Sequence, residues 1–129
     1  MKEELLERAV KLRKESGEIE NQLEFVKNQI SDLEQFRAGL DFIQKNKDEK
    51  IFSPLSRGVF VEAEMKHNNK ILVDVGAGVF IKKSYAETIE ILEAQIKKFK
   101  EAKSHLESKL HEYVSEFYEM LQEVEEIKK

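Results

Sequence analysis

Both ends of this chain carry apolar residues in heptads, and that pattern constrains the fold more than any other feature. Read in sevens from Leu5, the first segment gives Leu5, Leu12, Ile19, Val26, Leu33 and Leu40. Four residues after these come Ala9, Ser16, Leu23, Ile30 and Arg37, so one seam position is strong and its partner mixed. Phe36 and Ile43 extend the stripe as its phase drifts. The last segment is more regular. Ile89, Leu92, Ile96, Phe99, Lys103, Leu106, Leu110, Tyr113, Phe117, Met120, Val124 and Ile127 alternate steps of three and four, with Lys103 the single polar member. Such spacing predicts two helices, over 3–45 and 85–127, each about 60 Å long. Ser84 followed by Glu87 has the spacing of a capping box, and Lys128 and Lys129 suit a helix C-terminus. The pairs Glu4/Arg8 and Glu7/Lys11 add support one turn apart. Two narrow apolar stripes on either side of a short connector pair most simply as an antiparallel hairpin.

Between the helices, over 51–82, the period changes. Asn46-Lys47-Asp48-Glu49-Lys50 is a polar break. Ile51-Phe52-Ser53-Pro54 reads as a short strand ended by proline, and Val59 to Met65 partly alternates. His67-Asn68-Asn69-Lys70 reads as a turn, while Ile71 to Val75 and Val79 to Ile81 are β-branched runs around Gly76-Ala77-Gly78. The fold class is therefore α+β, mainly α: a long antiparallel two-helix coiled coil with two β-hairpins, four short strands, between the helices. Four short strands bury no stable core alone, and their open edges invite pairing with other chains.

Composition narrows the function classes. The chain is 37% charged with one Pro and five Gly, which suits solvated helices. A net charge of −4 without a basic cluster argues against nucleic-acid binding. With no cysteine, disulfides and thiolate metal sites are excluded. The charged start Met1-Lys2-Glu3-Glu4 does not read as a signal peptide, and no apolar run has membrane-spanning length, so the expected location is cytoplasmic. Gly76-Ala77-Gly78 lacks the third glycine of a dinucleotide fingerprint, since Ile81 stands there. His67 falls in a turn, His105 and His111 do not share a helix face well, and His111-Glu112 has Ser115 where a zincin needs its second histidine. No catalytic residue, metal ligand or cofactor is expected.

The middle segment resembles one family. Ile51-Phe52-Ser53-Pro54-Leu55-Ser56-Arg57-Gly58-Val59-Phe60-Val61 is similar to the proline-containing first hairpin of α-class prefoldins, although Ser56-Arg57 intervenes before Gly58. Ile71 through Ser84 resembles their second hairpin and its lead into the last helix. The order helix, two hairpins, helix covers 1–129 as a single prefoldin-like domain. The resemblance implies an ATP-independent holdase: a hexamer with β-type prefoldin subunits, capturing unfolded client proteins at coiled-coil tips and delivering them to a group II chaperonin, with no enzyme activity.

On that expectation the tips lie near both termini. Leu6, Val10, Tyr118 and Leu121 fall off the seam and become candidate client contacts. Beside them the seam residues Leu5, Ala9, Met120 and Val124 become available where the helix ends fray. Flexible Met120 suits varied clients. Val59, Val61, Val73, Val75, Val79 and Ile81 are expected in core or subunit interface, and Phe52, Phe60 and Phe80 in inter-subunit contacts. Arg37 and Lys103 read as polar seam residues that fix register. The alternative is a structural or scaffold subunit of a prefoldin-like or homo-oligomeric assembly.

Overall fold

A computed structural model describes residues 2–46, 50–64 and 70–128, the side chain of Lys128 excepted. The breaks expected at Lys47-Asp48-Glu49 and His67-Asn68-Asn69, together with Met65, His67 and Lys129, lie outside the described residues. The element order is α1 (Lys2–Lys45), β1 (Lys50–Ser56), β2 (Val59–Glu64), β3 (Lys70–Asp74), β4 (Phe80–Ser84) and α2 (Tyr85–Lys128). Contacts divide the chain into two compact units, one of residues 1–32 with 96–129, the other of residues 33–95.

In the first unit the two helices run antiparallel, with Ala9, Leu12 and Met120 buried together and Tyr113 and Phe117 packed against them. Ser16, Ile19, Leu23, Val26 and Ile30 are buried as well, so both heptad positions of α1 point into the pair. The seam loosens at its end, where Ile127 is exposed. Arg8 does not reach along its own helix to Glu4; its Nη2 donates to Glu116 Oε1 of α2 at 3.3 Å. Both groups are solvated, so that bridge contributes no more than about 1 kcal/mol.

In the second unit Leu40, Tyr85 and Leu92 form the core, with Leu33, Ile43, Ile71 and Ile89 against it. Phe36 departs from the expected stripe and is exposed. In the register that keeps Leu33 and Leu40 in the seam, Phe36 falls at g, beside the seam and not in it. At Arg37 a charge replaces the apolar partner position, and its Nη2 donates to Glu93 Oε1 of α2 at 2.6 Å. Lys103, in the first unit, instead lies 3.9 Å from Glu107 of its own helix.

The strands form two separate antiparallel pairs, β1 with β2 and β3 with β4. Pro54 does not end β1 but sits inside it opposite Phe60, with a register shift before Ser56. A two-stranded ribbon has a free edge, where a residue without an amide hydrogen loses no ladder bond. Arg57 (φ 50°) and Gly58 (φ 80°) close this hairpin as a two-residue turn with both φ positive, the twist-matched geometry for joining adjacent strands. In the second hairpin Val75 and Val79 lie outside the strands: Val75 N–H donates to Val79 O at 2.9 Å, and Val79 N–H to Gly76 O at 3.0 Å. The intervening loop needs three positive φ values, at Gly76, Ala77 and Gly78. Asp74 Oδ1 steadies it by accepting from Gly76 N–H at 2.8 Å.

The handover from β4 to α2 is made at Ser84. Its Oγ accepts from Glu87 N–H at 3.1 Å, and its carbonyl accepts from Thr88 Oγ1 at 2.9 Å. The cap satisfies an amide that the first helical turn otherwise leaves without a partner.

Candidate functional site

Two surfaces stand out, one in each unit. In the first, the sequence-derived residues near the termini separate into two sets. Ala9, Met120 and Val124 are buried in the helix pair and Leu5 is half-buried. Leu6, Val10, Tyr118 and Leu121 stand 41%, 67%, 62% and 38% exposed. Burying a fully exposed apolar side chain is worth about 1.5–3 kcal/mol, and each of these four keeps the part of that set by its exposed fraction as unused binding energy. The Tyr118 ring meets Phe117 edge to face with centroids 6.1 Å apart. A groove of about 300 Å³ runs beside it, lined by Arg13, Ser16, Gly17, Glu20, Val114, Phe117 and Tyr118. Val114 and Gly17 were not singled out by sequence; they follow Tyr113 and Ser16 by one residue, the same offset that separates Tyr118 from Phe117.

In the second unit the hairpins leave apolar faces uncovered. Cross-strand register places Phe52, Pro54 and Phe60 on one face of the first hairpin, since Phe52 pairs Glu62 and Pro54 pairs Phe60. All three point away from the chain's own core and are exposed. Lys50 Nζ lies 3.6 Å from Glu62 Oε1 on that same face. Val59 and Val61, on the opposite face, are also exposed, while Ile51 and Ala63 there are half-covered. In the second hairpin Val73 pairs Ile81 and Ile71 pairs Lys83, a face that packs inward through Ile71 and leaves Val73 half-buried and Ile81 partly exposed. The outward face carries Phe80 and Leu72, both exposed. Val75 and Val79 continue the opposite face, that of Val73 and Ile81, into the turn, where both are exposed. Leu72 and Leu55 were missed by sequence. Leu72 was legible through its period-two alternation with Lys70 and Asp74, whereas Leu55 lies at a register shift that the pattern does not reveal. A cleft of about 320 Å³ opens beside the second hairpin, lined among others by Phe36, Leu72, Val73, Ile91 and Leu92.

Neither surface converges on a set of titratable groups in a pocket. The chemistry on offer is apolar contact, open strand edges and a solvated charge pattern. Among the described residues no helix is long and apolar enough to cross a membrane.

Comparison with known proteins agrees with this architecture. The sequence profile described as Prefoldin subunit matches residues 12–129. Over 70 residues the chain is 34% identical to the prefoldin subunit alpha of Archaeoglobus fulgidus, covering 54% of this chain and 51% of that protein. It is 29% identical to prefoldin subunit alpha 2 of Thermococcus kodakarensis over 65% of this chain and 59% of that one. With the subunit alpha of Pyrococcus horikoshii the identity is 26% over 81% of this chain and 72% of that one. The chain thus spans about half to three fifths of the first of these relatives. Among solved structures, filamentous PFD from Methanocaldococcus jannaschii superimposes with a TM-score of 0.73 at 19% identity, covering 91% of this chain and 98% of that one. Two long helices, two hairpins between them and a profile match over nearly the whole length place the chain in the prefoldin family, as a subunit of the α class.

Proposed function

We propose that the chain is a holdase subunit: it assembles through its hairpins with β-type prefoldin subunits, captures unfolded client proteins at the free ends of its helix pair, and hands them to a group II chaperonin without ATP and without enzymatic chemistry. The observation that carries this reading is the apolar surface left uncovered near the chain termini, at Leu6, Val10, Tyr118 and Leu121, in a member of this family. Charged neighbours Glu3, Glu7, Glu123 and Glu125 keep that surface soluble. Leu5, Ala9, Met120 and Val124 lie in the seam beneath it and add contact area when the last turns open. Each contact is weak, and several subunits acting on one client multiply their effect.

For assembly we propose Phe52, Val59, Phe60, Val61, Val73, Val75, Val79, Phe80 and Ile81 as the residues that neighbouring subunits cover. A scaffold or homo-oligomeric role is the second reading, and the open edges of both hairpins favour it equally, because edge pairing needs no client. Removing about two turns from each terminus separates the readings. The holdase reading expects assembly to persist while suppression of client aggregation falls. Undiminished suppression by the truncated complex contradicts it.

A further inference from the structure

We infer that client docking is confined to one flank of the helix pair, the side bearing Leu6, Val10, Val114, Tyr118 and Leu121, and that its occupant is an extended segment of non-native polypeptide. The inference rests on the holdase reading and deepens it by naming the face and the conformation of what it holds.

The register shows why these residues share a side. Taking Leu5 and Met120 as heptad position d, and Ala9 and Phe117 as a, Leu6 and Leu121 fall at e, and Val10 and Tyr118 at b. At about 100° per residue, e and b lie on one side of the seam, with g and c on the other. In an antiparallel pair the e positions of the two helices are neighbours, as are the g positions. Both relations are present. Arg8 and Glu116, each at g, meet at 3.3 Å. Arg13, Glu20 and Val114 at e, with Gly17 and Tyr118 at b, line the groove, joined by Ser16 and Phe117 from the seam. The two flanks therefore differ in chemistry. One carries the Arg8–Glu116 bridge and a recess lined by Glu4, Leu5, Arg8 and Glu123. The other carries Leu6, Val10, Tyr118 and Leu121, whereas the exposed Phe25, at c, lies on the first flank about 12 Å beyond Gly17 along α1.

The groove also indicates its occupant. Gly17 has no side chain, and nothing lies within 4 Å of where a Cβ would stand, so a recess opens beside the exposed Tyr118 ring. Arg13 and Glu20 flank Gly17 on the same helix, about 10 Å apart along the axis, a span of roughly three extended residues. Both are exposed, and neither has an ion-pair partner among the described residues. A guanidinium on one side of an apolar recess and a carboxylate on the other complement the free C=O and N–H groups of an extended backbone, which any unfolded sequence offers. The helix flank of a second copy offers no such groups, because its backbone is already bonded internally. From Leu6 to Gly17 the strip runs about 16 Å, enough for about five extended residues.

The test uses the full chain assembled with a β-type prefoldin subunit, and reduced, alkylated lactalbumin as a permanently unfolded probe. A benzophenone side chain is introduced singly at Val10 or Tyr118 on one flank, or at Lys11 or Glu119 on the other. Illumination should yield about tenfold more lactalbumin adduct from Val10 and Tyr118, as expected where one face holds the binding anchors. Gly17→Leu should fill the recess, keep or raise helicity by circular dichroism, and cut the Tyr118 adduct severalfold. Equal yields from both flanks with aggregation still suppressed overturn the flank assignment and leave the holdase reading standing. Adducts between copies of this chain in place of lactalbumin overturn the proposed occupant. No adduct anywhere, with no suppression of aggregation, overturns both.

Discussion

Ser84 ends β4 and caps α2, so one side chain serves two elements. Ser84→Ala removes the acceptor for Glu87 N–H and should cost about 1 kcal/mol. The loss should be local: hydrogen exchange accelerates at the first-turn amides of α2, and unchanged protection at Glu87 contradicts the cap. At the first hairpin tip, Gly58 holds φ 80° and Arg57 φ 50°. Arg57→Asn should tighten this turn, because Asn-Gly is the preferred pair where both φ are positive, whereas Gly58→Val should strain it by about 1–2 kcal/mol or more. Strand-amide exchange in β1 and β2 reads both effects, and opposite signs are expected. The cap was legible from Ser84 and Glu87 in sequence. The turn was not, because an arginine with positive φ leaves no compositional trace. Pro54 misled for a similar reason: proline marks a strand end unless its amide position faces a free edge, and only the pairing reveals that.

At the scale of elements, the heptads were a sufficient guide to the helices. Ten of the α1 seam positions from Leu5 to Leu40 are buried or half-buried, and only Arg37 is exposed. The outward faces of the hairpins were less legible. Val75 and Val79 look like strand residues by composition, yet they flank a loop held by Val75 N–H to Val79 O. Gly17 and Gly39 sit inside α1 with open space where a Cβ would go. Gly39→Ala should therefore stabilise the helix by about 0.5–1 kcal/mol, raising the urea midpoint without changing the slope. Leu12 and Leu40 belong to different cores. Leu12→Ala and Leu40→Ala should each cost about 2–4 kcal/mol, with exchange accelerating first in the unit that carries the substitution. Equal acceleration in both units from either variant contradicts two separate cores.

At the scale of the whole molecule, the surface most in need of cover is on the hairpins. Phe52, Phe60, Phe80 and Leu72 are exposed on separate two-stranded sheets with open edges. Each large apolar side chain gains about 1.5–3 kcal/mol when a neighbour buries it, so association follows from the same arithmetic that builds cores. The sequence indicated Phe52, Phe60 and Phe80 as interface candidates through their β-branched and aromatic runs, and missed Leu72. It left open the distinction between internal core and external surface, which depends on which face of each ribbon meets the helices. Phe60→Asp should leave the helical circular dichroism intact and lower the native mass. The holdase role proposed for this prefoldin α-class subunit stands or falls on one paired measurement. Native mass is determined for the chain alone and mixed with a β-type subunit, and each sample is assayed for suppressing aggregation of a denatured protein. A holdase subunit should give a heteromeric complex of higher mass that suppresses aggregation without ATP. A chain that stays monomeric and inert in both samples would contradict it.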